Sequence, residues 1–230
     1  LPSAFTLDNI KNVFHDMKYP ATFLNTLIAT VIGTLGIIVI ASMGGYKMAR
    51  VKTRYSRFCF LFCIAPMMIP FQSFMLTLVN VATTLHINGK IWGLAIIYWG
   101  LGAPMSIFLY QGFAKGIPLE LEESALIDGC NQFQLFTRII FPMLKSCTAT
   151  VTIINVMWIW NDFLLPLLML GGRKSSKTLQ LAAYSFMGQY KMEWQNIMSA
   201  AILIIIPALI LYLIFQKSII KGVVAGAVKG

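Results

Sequence analysis

Residues 91–142 read IWGLAIIYWGLGAPMSIFLYQGFAKGIPLELEESALIDGCNQFQLFTRIIFP, and this stretch decides the class of fold. Its first part, Ile91–Ala114, is an apolar run long enough for a helix to cross a hydrocarbon core, which takes about 20 residues. The second part turns polar at Lys115, collects Glu120, Glu122 and Glu123, and becomes apolar again before Pro142. A span followed by a long, internally organised loop is the pattern of a helical membrane protein with a working element at the membrane surface.

The composition agrees. Hydrophobic residues make up 58% of the chain, charged residues 11%, and the mean hydropathy is +0.76. A soluble domain carries about 25% charge, so lipid is part of this chain's solvent. The net charge of +10 comes without a basic stripe interleaved with aromatics, and nucleic acid is not an expected partner. In a membrane protein the excess reads as Lys and Arg holding cytoplasmic loops against anionic lipid. Cys59 and Cys63 share an apolar helix, Cys130 and Cys147 stand alone, and neither His15 nor His86 completes a ligand set. No metal site is expected.

Five stretches have the length and apolarity of spans: Phe23–Tyr46, Phe58–Val79, Ile91–Ala114, Thr148–Leu170 and Ile197–Phe215. Pro66, Pro70, Pro104 and Pro207 lie inside them and should bend their helices. Such breaks either mark a pathway or are tolerated where neighbouring helices satisfy the freed groups. Lys47, Arg50, Lys52, Arg54 and Arg57 follow the first span closely, a strong cytoplasmic signal. Alternation then puts the loop 115–147 and the tail 218–230 inside. Residues 1–22, Thr83–Lys90 and Gly171–Asn196 fall outside. The fold class is an all-α membrane protein with about five visible transmembrane helices and one transmembrane domain over 23–217.

The inner loop has its own design. Pro118 suits a first helical position, and Glu120, Glu122 and Glu123 complement the positive end of the helix. Gly129 supplies a left-handed stop. Asn131 can cap a second short helix, with Gln134 completing a capping box, and Pro142 should end it. Phe133, Phe136, Ile139 and Ile140 give that helix its apolar side. Two readings of this acidic and apolar knob stand open: an interfacial helix lying on headgroups, or a docking element for another protein.

The run Glu123-Ser124-Ala125, three residues, Gly129, nine residues, Ile139-Ile140-Phe141-Pro142 resembles the EAA loop of binding-protein-dependent ABC importers. Every spacing fits, with Ser124 and Phe141 as mild departures. The whole chain is similar to the second permease subunit of maltose and multiple-sugar transporters. Trp160-Asn161-Asp162-Phe163-Leu164-Leu165-Pro166-Leu167 and the glycine-rich ending Ala225–Gly230 carry that likeness. A permease of this kind begins in the cytoplasm, so a further span is expected before Leu1, giving about six.

The resemblance implies a set of roles. Glu122, Glu123, Ser124, Ala125, Leu126, Ile127, Asp128, Gly129 and Pro142 would couple the spans to an ATPase subunit. Gly226, Lys229 and Gly230 would reach between two ATPase subunits. Gly171, Gly172, Arg173 and Lys174 would meet an external substrate-binding protein. Asn155, Trp158, Asn161 and Asp162 are pathway candidates by family position, with Asp162 foremost because an ionisable residue in a span is costly and functional by default. An interhelical hydrogen bond is the alternative for Asp162.

The implied partners are a second homologous permease, two ATPase subunits, the binding protein and the bilayer of the bacterial inner membrane. ATP and Mg would belong to the ATPase, since no G-x-x-x-x-G-K-[ST] sequence occurs here. No catalytic constellation points to an enzyme. A secondary transporter of a small polar solute is the competing class. An ABC permease for glycerol phosphate or a related solute is the competing cargo.

Overall fold

The computed structural model describes residues 7–171, 176–187 and 194–227, and these are helical apart from short turns. The chain opens with α1 (Asp8–Asp16), which the hydropathy reading passes over as a mixed segment. Its apolar positions Ile10, Val13 and Phe14 recur at helical spacing, and Val13 is fully buried. After a turn at Lys18, where φ is 49°, α2 runs from Tyr19 to Arg50. Its 32 residues span about 48 Å at 1.5 Å per residue, more than a hydrocarbon core requires. The helix α2 therefore begins before Phe23 and outlasts Tyr46.

The second expected span, Phe58–Val79, is not one helix. It divides into α3 (Arg54–Ile64), a 3₁₀ turn over Ala65–Met68 and α4 (Phe71–Thr84), bent by 107°. Pro66 and Pro70 remove two backbone donors. Ile69, which precedes Pro70, takes the extended conformation that proline imposes on its neighbour, with φ −99° and ψ 120°. By contrast α5 (Ile91–Lys115) carries Pro104 without a break. Among the described residues, α2 and α5 are the helices long and apolar enough to cross a membrane uninterrupted.

Helix α6 (Leu119–Ile127) follows, then α7 (Gln132–Gln134), a π-helical stretch Leu135–Ile140 and α8 (Phe141–Met143). The fourth expected span, Thr148–Leu170, is also interrupted. Helix α9 (Lys145–Asn161) stops before Asp162, and α10 (Leu164–Leu170) begins after Phe163. Within the stretch expected as an outer loop, Gly171–Asn196, sits a short helix, α11 (Leu179–Tyr184). The last helix, α12 (Trp194–Ala227), continues well past Phe215, so most of the segment expected as a tail is helix.

The chain forms two compact units. One gathers the chain up to Ile32, Met75–Ala95 and Met157–Phe215. Its core is Val13, Met17, Trp160, Leu179, Ala182, Ala200 and Ile204. Phe23 meets Trp160 edge-on with centroids 5.7 Å apart, and Tyr19 Oη donates to Leu203 O at 3.0 Å. Thr178 caps α11, Leu179 N donates to Thr26 Oγ1 at 2.9 Å, and Asn25 Nδ2 donates to Lys177 O at 3.0 Å. This part of the stretch expected as a loop is packed core, not a solvated strap.

The other unit holds Gly33–Phe74, Ile96–Val156 and the chain from Gln216. Here α2 and α5 approach closely. A Cβ at Gly45 would stand 2.7 Å from Tyr110 Cβ and 2.9 Å from Gln111 N, whereas one at Gly44 would make an ordinary 3.9 Å contact with Ile107. Small residues permit this backbone approach where lipid supplies no hydrophobic drive. Tyr110 Oη donates to Thr148 Oγ1 at 2.9 Å, tying α5 to α9.

Gly45→Ala is expected to destabilise the protein by about 1–3 kcal/mol through overpacking, read as a lowered unfolding temperature in detergent. Gly44→Ala should be neutral or slightly stabilising, because it removes backbone entropy without a clash. Equal behaviour of the two variants would contradict the close approach.

Candidate functional site: an anchored helical loop

The loop 115–147 is built from backbone hydrogen bonds that close each of its ends. Pro118, with φ −58° and ψ 138°, is the residue before α6 rather than its first helical residue, and Glu120 and Glu122 fill the first turn. At the far end Gly129 adopts φ 85°, Gly129 N donates to Leu126 O at 3.1 Å and Cys130 N donates to Ala125 O at 3.0 Å. These are the paired bonds of a Schellman cap, which needs a residue without a Cβ penalty at the left-handed position. The capping box at Asn131 is complete: Gln134 N donates to Asn131 Oδ1 at 2.9 Å, and Asn131 N to Gln134 Oε1 at 3.0 Å.

Pro142 does not stop the second helix. The helix passes through it to Met143, and the direction changes by 75° before α9. The turn preceding Pro142 is wound wide instead: Leu135–Ile140 is π-helical, and Phe141 N reaches back to Phe136 O. A wider turn absorbs a residue that lacks an N–H and would crowd the carbonyl four positions earlier. Leu144 N then donates to Ile140 O and Phe141 O, both at 3.1 Å, and the chain passes into α9.

The expected coupling residues fall on two faces. Glu122 and Ala125 point inward and are buried, while Glu123, Ser124, Leu126, Ile127 and Asp128 are exposed. Ile127 is 85% exposed and Phe133, on the next helix, 70%. Such exposure of large apolar side chains beside acidic ones on a capped, rigid loop fits a surface that another protein covers.

The buried face is held by an ion pair. Arg50 Nε donates to Glu122 Oε1, Tyr46 Oη donates to Glu122 Oε2 at 2.8 Å, and Arg50 Nη2 donates to Ile117 O at 2.9 Å. The two charged side chains are 13% and 10% exposed. The Arg50 guanidinium also lies 5.8 Å from the Tyr46 ring centroid. Tyr46 in turn packs on Phe136 at 5.7 Å, and Phe136 on Phe141 at 5.9 Å. The last turns of α2 thus grip both halves of the loop. Tyr46 and Arg50 escaped the sequence reading, which treated Arg50 only as an orientation charge. Their signal was a Tyr and an Arg four apart at a span's end, on one helix face.

The remaining candidates do not gather into one site. Asn155 is buried, with Nδ2 donating to Ser106 Oγ at 3.1 Å and Val151 O at 2.8 Å, which joins α9 to α5. Trp158 is 39% exposed. Asn161 is exposed and bonds back to Met157 O at 2.7 Å. Asp162 is half-buried at the break between α9 and α10, where Oδ1 accepts from Leu164 N at 3.1 Å. A carboxylate here closes a helix start rather than sitting unsatisfied in mid-span. Gly171 follows α10, donating to Leu167 O at 3.0 Å. Gly172, Arg173, Lys174, Lys229 and Gly230 lie outside the described residues, and Gly226 is on the last turn of α12.

Apolar helices of spanning length and a rigid surface loop clamped to the end of one of them define an integral-membrane protein with a structured surface element. The chain belongs to the family of binding-protein-dependent transport system inner membrane components, whose model matches residues 36–224. It is 39% identical to the probable starch degradation products transport system permease protein AmyC of Thermoanaerobacterium thermosulfurigenes, over 100% of this chain and 83% of that protein. It is 38% identical to the multiple sugar-binding transport system permease protein MsmG of Streptococcus mutans, over 99% and 83%. Among solved structures, a chain of a bacterial ABC transporter involved in alginate import shares the fold, with a TM-score of 0.79, 22% identity, and 94% and 81% coverage.

Removing one partner of a buried ion pair costs about 3–5 kcal/mol, because the other charge stays desolvated. Glu122→Ala should therefore lower stability by that order, whereas Glu123→Ala, on the exposed face, should change it by less than about 0.5 kcal/mol. Thermal unfolding of the two purified variants in the same detergent checks the contrast. A tolerant Glu122 would mean that the pair does not anchor the loop.

Proposed function

We propose that this chain is one permease subunit of an ATP-driven importer for a sugar or oligosaccharide. In this reading it forms half of the pathway with a second homologous permease, receives solute from an external binding protein, and is driven by two ATPase subunits. Support for the cargo comes from the relatives whose names specify starch products and multiple sugars. The ATP and its Mg are held by the ATPase, and this chain contributes motion, not hydrolysis.

The observation that carries the coupling role is the two-faced loop. Its spacing is that of the EAA loop, its outer face is acidic and apolar, and its inner face is clamped by Arg50 and Tyr46. A docking element must be rigid, because slack dissipates a push from the ATPase. The Schellman cap and the capping box remove slack within the loop, and the ion pair passes displacement to α2. The five-charge cluster from Lys47 to Arg57 supports a cytoplasmic position for this loop and, by alternation, for the C-terminus.

The assembled importer reconstituted with its binding protein should couple sugar uptake to ATP hydrolysis, and this subunit alone should do neither. Robust ATPase activity of the isolated chain would defeat the reading. Gly129→Pro replaces φ 85° by a residue fixed near −65° and removes the N–H that caps α6. It should cut sugar transported per ATP by about tenfold, with ATP hydrolysis continuing, while leaving membrane insertion intact. Failure of the complex to assemble, in place of uncoupling, would count against the coupling role.

A further inference from the structure

Beside the clamp lies a cavity of about 1170 Å³, bounded by the end of α2, the first turns of α3 and the junction of α5 with α6. Lys52, Arg54, Arg57 and Lys115 line it. Arg50 also contributes, but its charge is taken by Glu122. Among the described residues, no carboxylate pairs with the other four cations. Glu120 is the one acidic residue on the wall, so the cavity is a concentrated positive field awaiting an anion.

The walls are graded. Arg54 and Arg57 occupy the first turn of α3, and Phe60 and Leu61 line the cavity one turn on. At 1.5 Å per residue that step is about 5 Å along the helix, comparable to the descent from a phosphate to the start of an acyl chain. The outer side of α3 continues the gradient: Tyr55 is 76% exposed, Phe58 64% and Phe62 71%. Exposed aromatic rings beside basic side chains suit a headgroup boundary, and the apolar turns beyond suit hydrocarbon.

We propose that this cavity binds the phosphate-bearing headgroup of an anionic glycerophospholipid, with Lys52, Arg54 and Arg57 around the phosphate and the acyl chains running along α3. A basic pocket between helices at a membrane surface is the arrangement that selects such lipids. Soluble phosphate esters would satisfy the cations but would leave Phe60, Leu61 and the exposed aromatics uncovered. The position gives the lipid a consequence. It sits against the turn that joins α2 to α3, directly beside the residues that clamp the loop. The proposal rests on the reading of this surface as a membrane interface, and its test is independent of sugar uptake.

The intact importer complex, exchanged into neutral detergent with equal phosphatidylglycerol and phosphatidylcholine, is examined by native mass spectrometry. Wild type should retain phosphatidylglycerol at least about tenfold over phosphatidylcholine. The triple variant K52Q/R54Q/R57Q should weaken retention by on the order of a hundredfold. The charge-keeping variant K52R/R54K/R57K should restore most of it, which separates charge from general damage. Soluble glycerol phosphate in excess should not displace the lipid; full displacement would identify a free phosphate ester and overturn the proposal. Equal retention of both lipids would also overturn it. So would a photo-crosslinker in place of Arg57 that captures a partner subunit instead of lipid. Sugar uptake lost with selective lipid retention intact would fault the transport reading and leave the lipid site standing.

Discussion

No water reaches a backbone N–H or C=O in hydrocarbon, so every interruption of a helix must be closed by the protein itself. This constraint organises the chain. Where Pro66 and Pro70 break the second apolar stretch, Ile69 N bonds to Pro66 O and Ser73 Oγ donates to Pro70 O. Where the fourth stretch breaks, Asp162 Oδ1 takes Leu164 N. The surface loop follows the milder rule of any helix end: where the chain leaves α6, Gly129 supplies the left-handed turn that returns two N–H groups to it. Each repair uses a residue whose side chain or conformational range suits that one position.

The features legible in the sequence were those that depend on local pattern. Apolar run length located α2 and α5, and the residue types at Gly129, Asn131 and Gln134 announced their caps. Features that depend on distant partners were not legible. Arg50 and Glu122 are 72 residues apart, and nothing in either neighbourhood names the other. Proline marked the second stretch as bent, but a direction change of 107° depends on what packs around it. At Pro142 the local rule said stop, and the π-helical turn before it let the helix continue.

Two short helices were hidden by their setting. Polar residues such as Lys11 and Asp16 broke up the hydropathy of α1, although Val13 sits in the core beside Met17. The segment of α11 reads as a loop because it lies between glycines and Asn196, yet Leu179 is fully buried. In both cases tertiary burial, not span length, decides the structure. The pathway candidates show the same limit. Asn155 spends its amide on Ser106 and Val151, and Asp162 spends an oxygen on a helix start. A polar residue in an apolar run announces only that it has a partner, not which one.

The division of the loop into a clamped face and a bare face separates two kinds of change. Substitutions among Leu126, Ile127 and Phe133 alter what the knob fits while the grip of Tyr46 and Arg50 on Glu122 stays as it is. The outer surface is therefore free to drift in step with whatever covers it, and the inner one is not. The two faces of one short helix thus answer to separate constraints, the bare one to its surroundings and the clamped one to the architecture of the chain itself.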